Sequence, residues 1–223
     1  MNRFVLISIL VLILTSCSNT PEMETGEIKT LAILNKALQQ SNQPKRLIDA
    51  RLLLSRKQID EANVPVLFVE LPSGQNGTLT PYPGKGIGQT WLSADGATIT
   101  LDMGVLKASR GMGNDLMGSS SSMPSWSQIN QKTGSYSREV AHITGNNKIA
   151  QHVFSCSIEK TSRRELIEIW EINFRVVRFE ENCFNSRIKI KNTYFVDTQN
   201  IVRRSTQYHS ETLGSILIER LDR

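Results

Sequence analysis

Past its first fourteen residues the chain has no apolar run long enough to cross a bilayer as a helix. It also lacks the signatures of common catalytic machinery: there is no G-x-S-x-G elbow, no H-E-x-x-H and no C-x-x-C. Histidine is scarce, and His142, His152 and His209 fall on separate expected strands without ligand spacing. His142 and His152 face one another across the Gly145 to Asn147 turn but lack a third ligand, so no metal site is expected, and no cofactor. The G-x-G of "SRGMGNDL", Ser109 to Leu116, has no third glycine at the dinucleotide spacing and no Gly-Lys-Ser/Thr, which excludes a phosphate cradle. Two carboxylate pairs are candidates for acid chemistry, Asp102 with Asp115 around that block and Glu180 with Glu181 beside Cys183. Spacing alone promotes neither to a catalytic role.

What is present begins at the N-terminus. Met1 to Arg3 form a short basic start, "FVLISILVLIL" from Phe4 to Leu14 has the length of a signal-peptide core, and "LTSC" brings small residues up to Cys17. This pattern predicts a lipoprotein signal peptide over residues 1–16, cleaved so that Cys17 becomes the lipidated first residue. Residues 17–25 are then a lipidated tether, and residues 26–223 a single β-rich periplasmic domain. Two or more acyl chains anchor a protein stably, so membrane attachment through Cys17 is expected to be permanent. Ser18 rather than Asp follows the cysteine, which in bacteria with two membranes points to the outer membrane, with the domain facing the periplasm. The net charge of +5 is modest. In an exported chain it makes a nucleic-acid partner implausible and suits either a solvated surface or contact with an anionic polymer.

With Cys17 used by the lipid, two of the three cysteines remain, Cys156 and Cys183, in an oxidising compartment. A disulfide between them is expected to add about 3 kcal/mol on the chain-entropy estimate. The alternative is two buried, inert thiols.

Along the domain, "GEIKTLAILNKALQQ" from Gly26 to Gln40 sets Ile28, Leu31, Leu34 and Leu38 on one stripe and predicts an amphipathic helix. "SRKQIDEA", Ser55 to Ala62, opens with a Ser-x-x-Gln capping box and predicts a short second helix. From Val64 the period changes to two. Asp95-Gly96 between alternating runs predicts a hairpin, with Ile99, Leu101 and Met103 on one face of its second arm. The glycines of Lys107 to Ser125 predict a sharp turn off that arm, followed by a mobile serine-rich loop. "RELIEIWEINFRVVRF" and "SRIKIKNTYFVD" alternate clearly, and "IVRRSTQYH" and "GSILIERL" bring the expected count to eight to ten strands. The fold class is therefore mainly β, an antiparallel meander forming a barrel or half-barrel with the helices packed on it. One conflict stands: a straight strand between Cys156 and Cys183 would hold them too far apart, so either that segment breaks near its middle or the bridge does not form.

The lipobox cysteine, "WLSADG" from Trp91 to Gly96, the G-V-L segment and the block Ser109, Arg110, Gly111, Gly113, Asp115 and Leu116 resemble the YjbF/GfcB family of lipoproteins linked to exopolysaccharide and group 4 capsule production. "VRFEENC", "NTYFVD" and "RRSTQYHSETLGSILIERL" look like the family's closing strands. The resemblance implies an outer-membrane lipoprotein with a barrel-like fold, working beside periplasmic and outer-membrane proteins of the same polysaccharide pathway. It implies no catalytic residue.

Three functions compete. The first is a non-enzymatic accessory factor, with Arg110, Gly111, Gly113, Asp115 and Leu116 as a binding or docking loop. The second is a barrel that binds glycan or lipid, with Trp91, Trp126 and the basic row Arg187, Lys189 and Lys191 as glycan contacts, unless the tryptophans are core and the row a solvated face. The third, a polysaccharide-modifying enzyme, would need one of the carboxylates above.

Overall fold

A computed structural model describes residues 49–84, 88–129, 133–144, 146 and 148–223. The signal peptide, Cys17 and the helix expected over Gly26 to Gln40 lie outside the described residues. Two short helices open the described part. Helix α1, Ala50–Leu53, is capped by the Asp49 side chain, and helix α2, Arg56–Ala62, starts from the Ser55–Gln58 capping box that the sequence predicts.

Thirteen strands follow: β1 Leu67–Glu70, β2 Asn76–Pro81, β3 Gln89–Ser93, β4 Thr98–Asp102, β5 Val105–Arg110, β6 Leu116–Ser121, β7 Tyr136–Ile143, β8 Ile149–Lys160, β9 Glu165–Ile169, β10 Ile172–Phe184, β11 Lys189–Asp197, β12 Val202–Ser210 and β13 Gly214–Arg220. They form one antiparallel sheet in the order β5-β4-β3-β2-β1-β13-β12-β11-β10-β8-β7-β6, with β9 paired to β10 off this path. The sheet curls so far that its end strands β5 and β6 meet, giving a nearly closed twelve-stranded barrel. Closure of this kind sets the two edge strands β5 and β6 against each other and so covers the edges that a β-rich domain has to protect.

Alternation sorts the side chains as the period of two requires. Leu67, Val69, Ile99, Leu101, Phe154, Ile216 and Ile218 point inward and form the main core. The opposite faces of β1 and β10, with β9, pack Phe68, Ile167, Ile169 and Val176 against Ile59 of α2, so the helix seals an outer patch of the sheet. Trp126, on a 3-10 turn at Trp126–Gln128, packs with Phe179 and Tyr194 in a third cluster.

Two expectations are corrected. First, the strand count exceeds ten among the described residues, and "LMGSSS" is not a mobile loop: it is β6, laddered to β7 through pairs such as Ser119↔Val140. Its serines hide it from a hydrophobicity reading, and only pairing identifies it. Secondly, the glycine turn does not follow the hairpin arm directly. A two-residue turn at Met103-Gly104, both at positive φ, inserts β5 first, and Met103 is exposed at that turn rather than facing the core. The hairpin expected at Asp95-Gly96 forms, β3 pairing with β4 through Trp91↔Ile99 and Leu92↔Thr98. The Gly96 N–H donates to Ser93 O and Ser93 N–H to Ala97 O, with Gly96 at φ 89°, the geometry of a longer loop ending in a left-handed glycine.

The conflict over the cysteines resolves through a break. Trp170 and Glu171, both at positive φ (46° and 68°), turn the chain back on itself, so the long alternating segment is the hairpin β9–β10 rather than one strand. The second half of β10 then lies beside β8 with Cys183 directly opposite Cys156, and the two are joined as a disulfide with Cα atoms 4.0 Å apart.

Candidate functional site

The glycine block lies where the barrel closes. β5 and β6 share no backbone ladder, and side chains of the block supply the missing links. Ser109 Oγ accepts from Leu116 N–H (3.0 Å), while Arg110 Nη1 donates to Leu116 O (3.0 Å) and to Ser109 O (2.5 Å). Between them the loop folds around Asp115, whose carboxylate accepts from the N–H groups of Gly111 (2.9 Å) and Met112 (3.0 Å). Gly111 and Gly113 both sit near φ 80°, where a side chain would be strained. At Gly111 a Cβ would also press on the Ala97 backbone. Leu116 is buried in the main core. The candidate loop residues are thus brought together, and each has a structural task.

Ser109 makes a further contact that sequence reasoning missed. Its hydroxyl lies 2.7 Å from Nε2 of His209 on β12, and His142 of β7 donates from Nε2 to His209 O (2.6 Å). Ser109 Oγ thus bridges Leu116 N–H and His209 Nε2, the proton of the second contact lying on the hydroxyl or on the ring according to the histidine tautomer. Burial, reinforced by the neighbouring His142, lowers the His209 pKa to about 4 and keeps the ring neutral. A serine–histidine pair suggests a nucleophile, but Ser109 and His209 are both buried from solvent. His152 is offset from His142 by one cross-strand step, being opposite Val140.

Beside it on β12, Gln207 crosses the barrel interior, accepting from Leu106 N–H (2.8 Å) and donating to Gly104 O (2.8 Å) and Ser205 Oγ (2.9 Å). Leu106 is available because the β4–β5 register shifts by one residue there. No sequence period reveals such a cross-barrel bond. The only signal was an excess of polar residues, Ser205, Gln207 and His209, on one face of a strand.

The carboxylate pairs do not form. Asp102 and Asp115 lie at opposite ends of β5, and Asp102 faces Lys107 at 3.8 Å. Glu180 and Glu181 point to opposite faces of β10. Glu180 pairs with Lys191 at 2.8 Å on the outside, whereas Glu181 is fully buried and accepts five hydrogen bonds: from Arg138 Nε (3.1 Å) and Nη2 (2.5 Å), Tyr136 OH (2.6 Å), Asn192 Nδ2 (2.7 Å) and Tyr194 OH (2.9 Å). Burial raises its pKa, but the Arg138 charge and these donors outweigh that and leave it below the usual carboxylate range. Burial and the same carboxylate push the Tyr136 and Tyr194 phenols upward, so both remain donors. Glu181 and the two cysteines are the only cluster of metal-ligating residue types among the described residues, and the disulfide withholds both sulfurs.

The proposed glycan contacts divide. Arg187, Lys189 and Lys191 form an exposed row on the outer surface. The tryptophans are not surface platforms: Trp126 is core, its Nε1 donating to Met103 O (3.0 Å), and Trp91 is only 4 % exposed inside the barrel. Two cavities open at opposite ends. One of about 370 Å³ is lined by Gly111, Met112 and Gly113 together with Val69, Asn76 and Asp95. The other, of about 240 Å³, is lined by Trp91, Ser205 and Arg220 among others.

No curated protein sequence matches the chain. Among solved structures, the hypothetical lipoprotein YmcC from Escherichia coli K12 shares the fold with a TM-score of 0.70 at 19 % identity, over 84 % of this chain and 93 % of that one. The family model described as "Group 4 capsule polysaccharide lipoprotein gfcB, YjbF" matches residues 31–221. A barrel whose seam is closed by the arginine-glycine block, matched over nearly its whole length, places this chain in the YjbF family of group 4 capsule polysaccharide lipoproteins.

Proposed function

We propose that the protein is anchored through Cys17 in the outer membrane, faces the periplasm and serves capsule or exopolysaccharide production as a non-enzymatic accessory factor. The observation that carries this reading is the use of the family's most specific block. Ser109, Arg110, Gly111, Gly113, Asp115 and Leu116 spend their hydrogen-bonding groups and backbone freedom on closing the barrel. A block used in this way supports a rigid scaffold presented to other proteins of the pathway more than it supports a reaction centre. The lipobox supports the anchor, and Ser18 supports the outer membrane as its destination.

The test is complementation. A strain lacking the gene is expected to lose most of its surface polysaccharide, to regain it with the wild-type gene, and to regain little with Cys17→Ala, which leaves the domain unanchored. Full polysaccharide in the deletion strain would remove the pathway role, and full rescue by Cys17→Ala would remove the anchor from the function.

A further inference from the structure

The smaller cavity lies inside the barrel at the end where β4 turns into β5. Its lining joins apolar side chains such as Leu101 and Val202 to the polar side chains of Gln89, Asn200, Ser205 and Arg220. Trp91 Nε1 is buried and has no hydrogen-bond partner, although an indole N–H withdrawn from water normally has one. Ser205 Oγ accepts from Gln207, so its own proton remains to be donated. Arg220 points inward beside them, its guanidinium 5.9 Å from the Trp91 ring centroid. Its Nε is held by both carboxylate oxygens of Asp222 (2.9 and 3.0 Å), and its two Nη groups have no acceptor among the described residues. Gln89 also lines the cavity and donates through Nε2 to Tyr82 O and Thr90 O, leaving Oε1 as an acceptor.

We propose that this mouth of the barrel binds one acidic sugar unit, its carboxylate received by the Nη groups of Arg220, its ring set beside the Trp91 indole and a ring hydroxyl received by Gln89. The free Nη groups of Arg220 over an apolar lining select an acceptor-rich group on a compact carbon body. A guanidinium is the side chain best matched to a carboxylate. The volume of about 240 Å³ lies below the ~300 to 1,000 Å³ of pockets for drug-sized ligands and suits a single ring rather than an oligosaccharide. A short fatty acid shares the carboxylate and the apolar body but has no hydroxyl for Gln89. The choice of a sugar rests on the capsule reading above. The cavity is tested by binding and the pathway role by polysaccharide yield, so either can fail alone.

The experiment is a titration of the mature lipidated protein in detergent micelles, uniformly labelled with ¹⁵N and observed through its three indole N–H resonances. Trp91→Phe assigns the signal of interest, and Trp170, whose Nε1 is likewise buried without a partner, serves as the internal control. Sodium glucuronate is expected to shift the Trp91 signal, whose ring lines the cavity, while Trp170 stays fixed. Glucose and hexanoate are expected to leave the Trp91 signal in place. Arg220→Gln, at a half-buried position, should raise the glucuronate midpoint about tenfold or more, the loss of one charge-assisted contact. No shift with glucuronate overturns the site and leaves a cavity that holds only water. An equal response to glucose overturns the carboxylate, and a response to hexanoate alone overturns the sugar.

Discussion

Ser109 of β5 and His209 of β12 face each other at 2.7 Å in the barrel interior, although one hundred residues separate them in the chain. The same serine hydroxyl holds Leu116 N–H at the start of β6, so one side chain joins the seam to the opposite wall.

Ser109→Ala should therefore cost more than an ordinary surface change. It strands a buried N–H and a buried ring nitrogen, and the expected loss is about 1 to 3 kcal/mol. Arg110→Ala, at a more exposed position, should cost about 1 kcal/mol. Urea unfolding of both variants checks this, and a Ser109→Ala midpoint equal to wild type would show that the seam does not depend on the hydroxyl.

His209 makes stability depend on pH. An ordinary histidine titrates near 6.5, whereas this ring holds off its proton until about 4. Between those values the unfolded chain binds a proton that the folded chain refuses. Stability is intact above pH 6.5, falls as pH drops towards 4, and loses about 3 kcal/mol in all from this group. Asp115, whose charge opposes the shift, and His142, which reinforces it, are the ionisable neighbours. His209→Gln should flatten the slope between pH 6.5 and 4, even if it lowers stability at every pH. Parallel slopes for the two proteins would assign the pH dependence elsewhere.

Glu181→Gln leaves Arg138 buried beside an uncharged partner, and such half-broken pairs cost about 3 to 5 kcal/mol. Removing both charges with Glu181→Gln and Arg138→Met should cost less than the sum of the two single changes. Additivity in the double-mutant cycle would mean that the pair is not coupled. The depressed Glu181 pKa adds stability that is present above the ordinary carboxylate range and lost below it, a window more acidic than that of His209.

The disulfide closes a loop of sequence separation 27. Replacing both cysteines by alanine should lower stability by about 3 kcal/mol while preserving the native near-ultraviolet circular dichroism, because the ladder between β8 and β10 is independent of the sulfurs. Loss of the native spectrum would mean that the bridge is required for the fold itself.

The alternation of Ile188, Ile190, Tyr194 and Val196 against Arg187, Lys189 and Lys191 was enough to identify β11 and its two faces, because a strand has period two wherever one face is buried. The capping box at Ser55 was equally legible, since it is closed by residues three apart. The same reading missed β6, whose serines carry no hydrophobic period, and it ran β9 and β10 together, because Trp170 and Glu171 continue the alternation while their backbone turns.

The amino-acid sequence by itself determined the β class, the alternation that separates core from surface, and the glycine block that marks the family. These depend on neighbours within a few residues, where local geometry leaves little choice. Only the tertiary structure decided that the block is a seam, that Glu181 and Glu180 lead separate lives, and that Trp91 and Arg220 line one cavity. Each of those depends on strands brought together by closure of the sheet, and the distance between residues in the chain says nothing of what closure sets face to face.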